Sequence, residues 1–322
     1  SPLTEKLASI EKAIASGVNT IVLKSVNLSK RKEHVNIGKR KIITGFTGNR
    51  ELCERLVGLR SADYMEDFPE TLYCTATNED VETISREESN ELCRAIRRKH
   101  PGVKVVANIA AYNLSDFERT QELEGDAVEI ITRYLVAPAQ RPYIVHIPND
   151  SDSQEKLADW QERKHSTIVK GFRRIQDNRP VLQKLARSSS EYQVRLAEQI
   201  QDNIAGVTFA DSDKSGFVTN DRNITWYGKG SLCGQYLTKS TLFILPLIRT
   251  EFPELYVSAA GGIMNPLDAN FAFKAGASSI QICSAVYLGG WERLREIANS
   301  AKAKQKPVDF ASFMMEFNSA YR

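Results

Sequence analysis

The alternation of short apolar runs with helical stretches is the feature that most constrains the fold of this chain. Seven short runs are rich in β-forming residues, and most of them are almost continuously apolar, as strands buried on both faces of a parallel sheet usually are. The predicted strands are Asn19–Leu23, Val103–Ile109, Ala127–Ile131, Val181–Leu185, Gly206–Ala210, Leu255–Ala259 and Ser279–Cys283. The predicted helices are Leu3–Ala15, Glu87–Arg98, Ser115–Glu124, Ser189–Gln201, Thr241–Arg249 and Leu267–Ala275. This pattern predicts the α/β class, with helices covering a parallel sheet.

A single (β/α)8 TIM barrel over residues 1–322 is the architecture that we expect. The chain is longer than the roughly 250 residues typical of such a barrel, and no linker or internal repeat divides it. Seven strands are one fewer than a barrel needs, and the chain opens on a helix. We therefore expect the first strand to precede residue 1 or to be missing from the chain start, unless the barrel is completed in another way.

The connection Ala137–Arg179, between the fourth and fifth barrel strands, is unusually long. It begins with two prolines and continues as a predicted helix from about Ser153 to Ile175. Because it leaves the carboxyl end of a strand, this helical insertion is expected to lie over the active-site face. A lid and a dimer contact are both compatible with that position.

Charge and cysteine content exclude several classes of function. A formal net charge of +3 does not require nucleic acid as a partner, and no apolar run approaches the roughly 20 residues of a membrane span. The five cysteines are scattered, without a Cys-x-x-Cys pair, which predicts reduced thiols in a cytoplasmic protein and no metal centre. We therefore expect a small-molecule substrate.

Two successive strands near the carboxyl terminus end in residues that suit an anion. One strand ends in Gly261-Gly262, where the backbone can approach a ligand without obstruction by a Cβ atom. The next ends in Cys283-Ser284-Ala285, with a new helix beginning near Tyr287. A single Gly-Gly pair is common in turns, but two such strand ends separated by one helix predict a phosphate site.

The segment Gly228–Gly234 carries three glycines and precedes a predicted helix from about Thr238. It is expected to be a loop that folds over the same phosphate. A flexible surface loop is the alternative interpretation.

These segments resemble the end of the dihydroorotate dehydrogenase family, and are similar to the pyrimidine-reducing domain of dihydropyrimidine dehydrogenase. The resemblance rests on the order of the glycine segment Gly228–Gly234, the turn Gly261-Gly262-Ile263 and the run Ala275-Gly-Ala-Ser-x-x-Gln-x-Cys-Ser-Ala285. It extends backwards over nearly the whole chain. It implies a TIM barrel with FMN as cofactor, oxidoreductase activity and, as a family expectation, a homodimer.

The resemblance also implies which residues surround the flavin. Those implied to contact the cofactor are Lys24, Ser25, Asn108, Lys184, Gly234, Gly261, Gly262, Cys283 and Ser284. Lys184 is also suited on chemical grounds, because hydride arriving at flavin N5 leaves negative charge along N1 and O2, which a fixed ammonium stabilises. Without the family, Lys184 could instead extend its ammonium to solvent or pair with a carboxylate, and Asn108 could be a core amide.

The substrate half departs from the family pattern. The family's fourth strand ends in an Asn-Leu-Ser-Cys-Pro run, and here Ile131 takes the place of the substrate asparagine, while Tyr134 falls near the base position. Asp211, followed by Ser212, stands where the family has a second asparagine. The residues assigned to the substrate are Asn78, Arg133, Asp211 and Ser212. Polar pockets reject mismatched ligands by about 10⁴ or more, so the predicted substrate is not orotate.

Arg133 suits a carboxylate or phosphate on such a substrate, in a bidentate contact, or else a surface ion pair. Tyr134 is the positional candidate for the proton step and is paired with Lys184 as a catalytic residue, with His146 and Cys74 as rivals.

The hypothesis with most support is an FMN-dependent oxidoreductase acting on a CH–CH or CH–NH bond. Its electrons would be exchanged with a diffusible donor or acceptor, or with a partner protein. The alternatives are a flavin-free barrel lyase or aldolase with a substrate-phosphate site, and a non-catalytic relative.

Overall fold

The computed structural model describes residues 2–29, 41–43, 71–75, 83–132, 135, 151–185, 190–209, 213–221, 224–302 and 310–320. The strands in these ranges are β1 Thr20–Val22, β2 Lys41–Ile43, β3 Thr71–Thr75, β4 Lys104–Ala110, β5 Ala127–Ile131, β6 Val181–Leu185, β7 Gly206–Phe209, β8 Asp213–Asp221, β9 Ile224–Gly234, β10 Tyr256–Ala260 and β11 Ser279–Gln281. The helices are α1 Leu7–Ala15, α2 Arg86–Lys99, α3 Ser115–Glu118, α4 Ser151–Phe172, α5 Ser190–Ile200, α6 Thr238–Glu251, α7 Pro266–Lys274, α8 Ser284–Lys302 and α9 Phe310–Ala320.

The seven predicted strands form one parallel sheet, in the order β1-β4-β5-β6-β7-β10-β11. The prediction of an α/β fold with a parallel sheet is confirmed, with strand ends within two residues of those expected. One face of the sheet packs in the main apolar core beneath the helices. Its residues include Val128, Ile130, Val207 and Val257. The alternate residues face the other way, because successive side chains in a strand point to opposite faces.

The sheet curls towards a barrel. Gln281 on β11 donates to the carboxylate of Glu129 on β5 over 2.7 Å, although β6, β7 and β10 lie between them in the sheet. In a flat sheet, strands four places apart would be separated by about 19 Å, which the two side chains cannot span. The first and last barrel helices also meet, since Ser16 Oγ, just after α1, donates to the Trp291 carbonyl on α8 over 3.3 Å. The curled parallel sheet is what a TIM barrel requires.

A four-stranded antiparallel sheet, in the order β2-β3-β9-β8, accompanies the curled sheet and was not predicted. The expectation that Gly228–Gly234 forms a loop is wrong, since these residues end the long strand β9. In β9 Gly228 lies opposite Phe217, and Gly230 lies opposite Ser215 on β8 and Thr75 on β3. Pairing on both sides therefore gives this glycine-rich segment a regular extended structure.

Helix α4 includes most of the predicted insertion helix. Near its end, Ile168, Val169 and Phe172 are buried in the same core as Val128 and Val181 on the strands it connects, and the Phe172 ring contacts Phe117 edge to face, with 5.2 Å between centroids. This last part of α4 therefore packs as an ordinary barrel helix. Residues 137–150 lie outside the described residues, and their place over the active-site face stays a prediction.

Two helices differ in length from the prediction. Helix α6 is longer than the predicted Thr241–Arg249, since it spans 14 residues with Pro246 inside it. The Ser115–Glu124 helix is reduced to one turn, α3, followed by a 3₁₀ turn over Thr120–Glu122. The buried Asp116 carboxylate accepts from the Tyr112 and Asn113 amides and so fixes the turn that precedes α3.

Arg249, near the end of α6, fastens that helix to the sheet. Its guanidinium donates to the carbonyls of Gly276, Pro253 and Leu255 at 2.6 to 3.1 Å. Burial lowers the pKa of Arg249 from its ordinary value, yet guanidinium stays charged in proteins. No helix among the described residues has the length and apolar character needed to cross a bilayer.

Gly206 is a close-contact position between β7 and β10, and we predict that Gly206→Ala destabilises the protein. A Cβ atom there would lie 2.2 Å from the Tyr256 carbonyl oxygen, so the strands would have to move apart, at a cost of about 3 kcal/mol. Gly102→Ala is the matched control, because nothing lies within 4 Å of its Cβ position. Urea denaturation measures both; equal midpoints for the two variants would contradict the contact.

Candidate active site

Polar side chains line the concave face of the curled sheet, where a barrel places its active site at the carboxyl ends of the strands. In register, Lys184 pairs with Thr208, Thr208 with Ser258, and Ser258 with Ser279, so these side chains share one face. Asn108 and Glu129 pair on the same face, nearer the start of the sheet. The convex face is mostly apolar, with the buried Gln183 as an exception, so the concave face carries most of the polar groups of the sheet.

The centre of this polar face is Glu129, whose exposed fraction is zero. Its Oε1 accepts from Asn108 Nδ2 over 2.7 Å and from Lys184 Nζ over 3.2 Å. Its Oε2 accepts from Thr208 Oγ1 and from Gln281 Nε2, each over 2.7 Å. Four donors from four strands therefore converge on one carboxylate. Such pairing is what a buried charge needs to be tolerated.

Asn108 is 3% exposed, and its amide has only one orientation compatible with Glu129. A carboxylate accepts and cannot donate, so the Asn108 nitrogen must face it. The Asn108 carbonyl oxygen is buried and has no hydrogen-bond partner among the described residues. A buried acceptor of this kind is costly unless a ligand or another donor pairs with it.

Lys184 combines an ion pair with partial access to the concave side. Its Nζ lies 3.2 Å from Glu129 Oε1 and 3.3 Å from Gln281 Oε1, and its side chain is 15% exposed. The ammonium is thus fixed at two points while part of the side chain stays accessible.

Lys24 and Ser25 follow β1 and are both buried. Lys24 Nζ pairs with Glu5 Oε1 over 2.7 Å, and the Ser25 carbonyl accepts from the Ile84 amide over 3.1 Å. Lys24 and Ser25 therefore lie at the carboxyl end of β1, which is the end expected for the active site of a barrel.

The glycine turn after β10 is held by the start of α6. Gly261 and Gly262 have φ values of 86° and 81°, which favour glycine. Thr238 Oγ1 donates to the Gly262 carbonyl over 2.6 Å, and Thr241 Oγ1 to the Ala260 carbonyl over 3.2 Å. A Cβ on Gly262 would lie 2.2 Å from the Thr238 amide nitrogen. The first turn of α6 and the turn after β10 therefore form one compact unit.

Helix α8 supplies a second helix start at this end of the barrel. It begins at Ser284, directly after β11, and Cys283 and Ser284 are half-buried. Strand β9, which ends at Gly234 with a φ of 84°, contacts α8. The first amides of a helix have no acceptor within the helix, so they favour an anion.

Residues 74–304, well over half of the chain, match the family described as "Dihydroorotate dehydrogenase". The chain belongs to the dihydroorotate dehydrogenase family. The matched range includes the Glu129 network, the Gly261-Gly262 turn and the start of α8, while Lys24 and Ser25 precede it. No curated protein matches the chain in a direct comparison.

Proteins of the dihydroorotate dehydrogenase family are FMN-dependent oxidoreductases. The concave face has a polar part around Asn108 and Glu129 and an apolar part further along the same strands. Beyond Asn108 and Glu129 along their strands, the inward residues are Ala110 and Ile131, which form a buried apolar cluster with Tyr112 packed against it. Ile131, which takes the position where the resemblance implies a substrate-binding asparagine, therefore belongs to a buried apolar cluster.

The remaining predicted site residues fall outside the described part of the chain. These are Asn78, Arg133, Tyr134, Asp211 and Ser212. Their assignments to substrate binding and catalysis remain predictions. Among the residues that the structure does describe, no cluster of His, Cys, Asp and Glu could hold a metal ion.

Sequence reasoning gave no role in the site to three residues of the network, Glu129, Thr208 and Gln281. Gln281 had been noted only as part of the run that carries the family resemblance. The sequence does contain one signal, because Glu129 is a lone carboxylate between Val128 and Ile130 in an otherwise apolar strand. A charge at such a position has to be paired inside the protein. Its partners come from strands distant in sequence, so only the fold identifies them.

A separate cleft of about 390 Å³ lies at the opposite end of the barrel. It is lined by Asp177, Arg179 and residues at the amino ends of β6 and β7. Arg179 pairs there with Asp177 over 2.6 Å and donates to the Leu123 and Thr120 carbonyls. These contacts connect the loop before β6 to the loop before β5. The cleft lies at the amino ends of the strands, whereas the candidate active site lies at their carboxyl ends.

Proposed function

We propose that this chain binds FMN on the concave face and moves a hydride between flavin N5 and a CH–CH or CH–NH bond of a small polar substrate. The observation that carries the proposal is the network around Glu129, which presents a buried acceptor on Asn108 and a fixed ammonium on Lys184 beside a glycine turn and two helix starts. Family membership supports the same chemistry.

The residues present fit FMN at both of its ends. Oxidised isoalloxazine carries one ring N–H, which is the group that the buried Asn108 oxygen lacks as a partner. The phosphate dianion suits the start of α8 and the Gly262 turn, since both offer backbone amides in a region without bulky side chains. Ser284, Cys283, Gly261 and Gly234 belong to the same end of the barrel. We assign Lys24 and Ser25, at the end of β1, to the ring.

Bound FMN would supply the hydride acceptor or donor; the chain supplies binding, orientation and electrostatics. Lys184 holds a positive charge in fixed geometry, which favours negative charge on the pyrimidine edge of the ring. The apolar wall of Ala110, Ile131 and Tyr112 excludes water from one side of the site. Tyr134 stays our candidate for the group that moves the substrate proton.

The substrate is proposed to differ from orotate. Orotate carries several hydrogen-bonding groups in its ring, and burying them against Ala110 and Ile131 would leave them unpaired. A substrate with an apolar edge fits this wall, with Arg133 as a second, polar contact. Asn78, Asp211 and Ser212 complete the proposed substrate side.

The alternative of a Schiff-base aldolase is weakened by the position of Lys184. A Schiff-base lysine must be neutral to attack a carbonyl, whereas the ion pair with Glu129 stabilises the ammonium form. A homodimer, a cytoplasmic location, and a diffusible electron donor or acceptor or a partner protein are further parts of the proposal, and they follow from the family resemblance and composition.

Cofactor titration tests the proposal directly. Purified protein supplied with excess FMN should turn yellow, bind FMN in calorimetry and retain it through gel filtration. Reduction by dithionite and reoxidation by a panel of acceptors would then show whether the bound flavin cycles. Absence of FMN affinity would remove the redox assignment.

Lys184→Ala should slow flavin reduction by substrate by about a hundredfold or more, roughly 2.7 kcal/mol, because the fixed positive charge beside the ring is lost. Stopped-flow absorbance at the flavin band measures the rate. Lys104→Ala is the control, since this exposed lysine lies at the amino end of β4, away from the site. Equal reduction rates in both variants would exclude Lys184 from the mechanism.

Ser284→Asp should weaken FMN binding by about thirtyfold, because its carboxylate at the start of α8 would repel the phosphate. The same substitution should leave the apoprotein as stable or slightly more stable, since acidic residues favour a helix start. Ser284→Asn, similar in size and uncharged, is the control. If both variants bind FMN equally in calorimetry, the phosphate does not lie at α8.

A further inference from the structure

The donors around Glu129 form a network in which every orientation is fixed. Glu129 accepts two hydrogen bonds on each oxygen, and a carboxylate has no proton to offer in return. Each partner must therefore turn a donor towards it. This requirement determines which atom of each amide is left for other contacts.

Two of the partners are amides whose orientation is set in this way. Asn108 gives its nitrogen to Glu129, so its carbonyl oxygen is the atom left without a partner among the described residues. Gln281 also gives its nitrogen to Glu129, so its carbonyl oxygen is free to accept from Lys184 Nζ over 3.3 Å. Lys184 is consequently fixed by Glu129 and Gln281 together.

We propose that Glu129 is the positioning residue of the flavin site, a role that rests on the function proposed above. It has no exposed surface and its oxygens are occupied by protein donors. It therefore acts through its neighbours. It turns the Asn108 carbonyl towards the ligand as an acceptor and holds the Lys184 ammonium in place. Thr208, fully buried on β7, fixes the second carboxylate oxygen.

The substitution Glu129→Gln tests the proposal, because no orientation of the new amide satisfies all four hydrogen-bond partners of Glu129. If its carbonyl faces Asn108 and Lys184, its nitrogen meets the Gln281 nitrogen. Turning Gln281 removes that conflict but directs the Gln281 nitrogen at Lys184, which is also a donor. If instead the new nitrogen faces Lys184, two donors meet directly. Glu129→Gln therefore keeps the shape while releasing Lys184 or Asn108.

The experiment is a double-mutant cycle on FMN affinity, measured by calorimetry with Glu129→Gln, Asn108→Ala and the double variant. Each single substitution should weaken FMN binding by about tenfold. Because Glu129 acts partly through Asn108, the double variant should bind FMN clearly better than the product of the two losses predicts. A residue that affected FMN binding independently of Asn108 would give losses that multiply in full, and one that only stabilised the fold would leave FMN affinity unchanged.

Asp177→Asn is the matched control, since Asp177 is a buried carboxylate that pairs with Arg179 at the opposite end of the barrel. It should lower the melting temperature and leave FMN affinity unchanged. Thr208→Val provides a milder test if Glu129→Gln does not fold, because it removes one donor to Glu129 with little change of shape. It should weaken FMN binding by about threefold.

The inference is overturned if Glu129→Gln folds and binds FMN as tightly as the unmodified protein, or if the two losses multiply in full. Wild-type affinity in Thr208→Val would count against it in the same way. A wild-type chain that does not bind FMN at all would instead refute the proposed function, so the two failures are distinguishable.

Discussion

Burial of the Glu129 carboxylate is the constraint on which the rest of the site depends. A charge without solvent contact is tolerated only when protein groups replace its hydration, and here donors from β4, β6, β7 and β11 do so. Those strands can reach one carboxylate only if the sheet curls. The charge of one residue and the curvature of the whole sheet are therefore mutually dependent.

This dependence explains why the two faces of the sheet have opposite character. The convex face packs in a continuous apolar core with the helices, where Val128, Val207 and Val257 need no particular partner. The concave face carries groups whose partners are individually fixed, from Asn108 to the Ser258–Ser279 hydroxyl pair at 2.9 Å. Apolar packing tolerates substitution of similar volume, whereas a buried network of specific hydrogen bonds does not. We expect the concave face to be the less tolerant of the two.

The sequence allowed the parallel strands to be predicted because their signal is local. Strands such as Ala127–Ile131 and Val181–Leu185 are short segments made mostly of apolar residues and were found with correct ends. Strand β9 was missed because glycines at 228 and 230 suggest a loop, and only pairing with β8 and β3 makes them a strand. Pairing of that kind joins segments far apart in sequence, which a local pattern does not record.

The candidate site also combines residues that could be predicted from the sequence with residues that only the fold brings together. Asn108 and Lys184 were found through the family resemblance, and the Gly261-Gly262 turn from its position at the end of an apolar strand; the structure brings Asn108 and Lys184 onto one carboxylate. Glu129 itself was seen only as part of a strand. Its partners Thr208 and Gln281 lie 79 and 152 residues further along the chain, so no spacing rule could connect them.

In the proposed function, the apolar cluster of Ala110 and Ile131 belongs to the substrate side and the Glu129 network to the flavin side. Ala110 and Ile131 come two residues after Asn108 and Glu129 on the same strands, so both pairs face inward at successive levels. Ile131 neighbours Lys184 in register but adds no polar group that would compete with Glu129 for it. Under the proposed function, substitution at Ala110 or Ile131 would change substrate recognition without removing any of the four donors to Glu129. Two adjacent levels of one sheet would then have separate roles in the proposal, one in cofactor positioning and one in substrate selection.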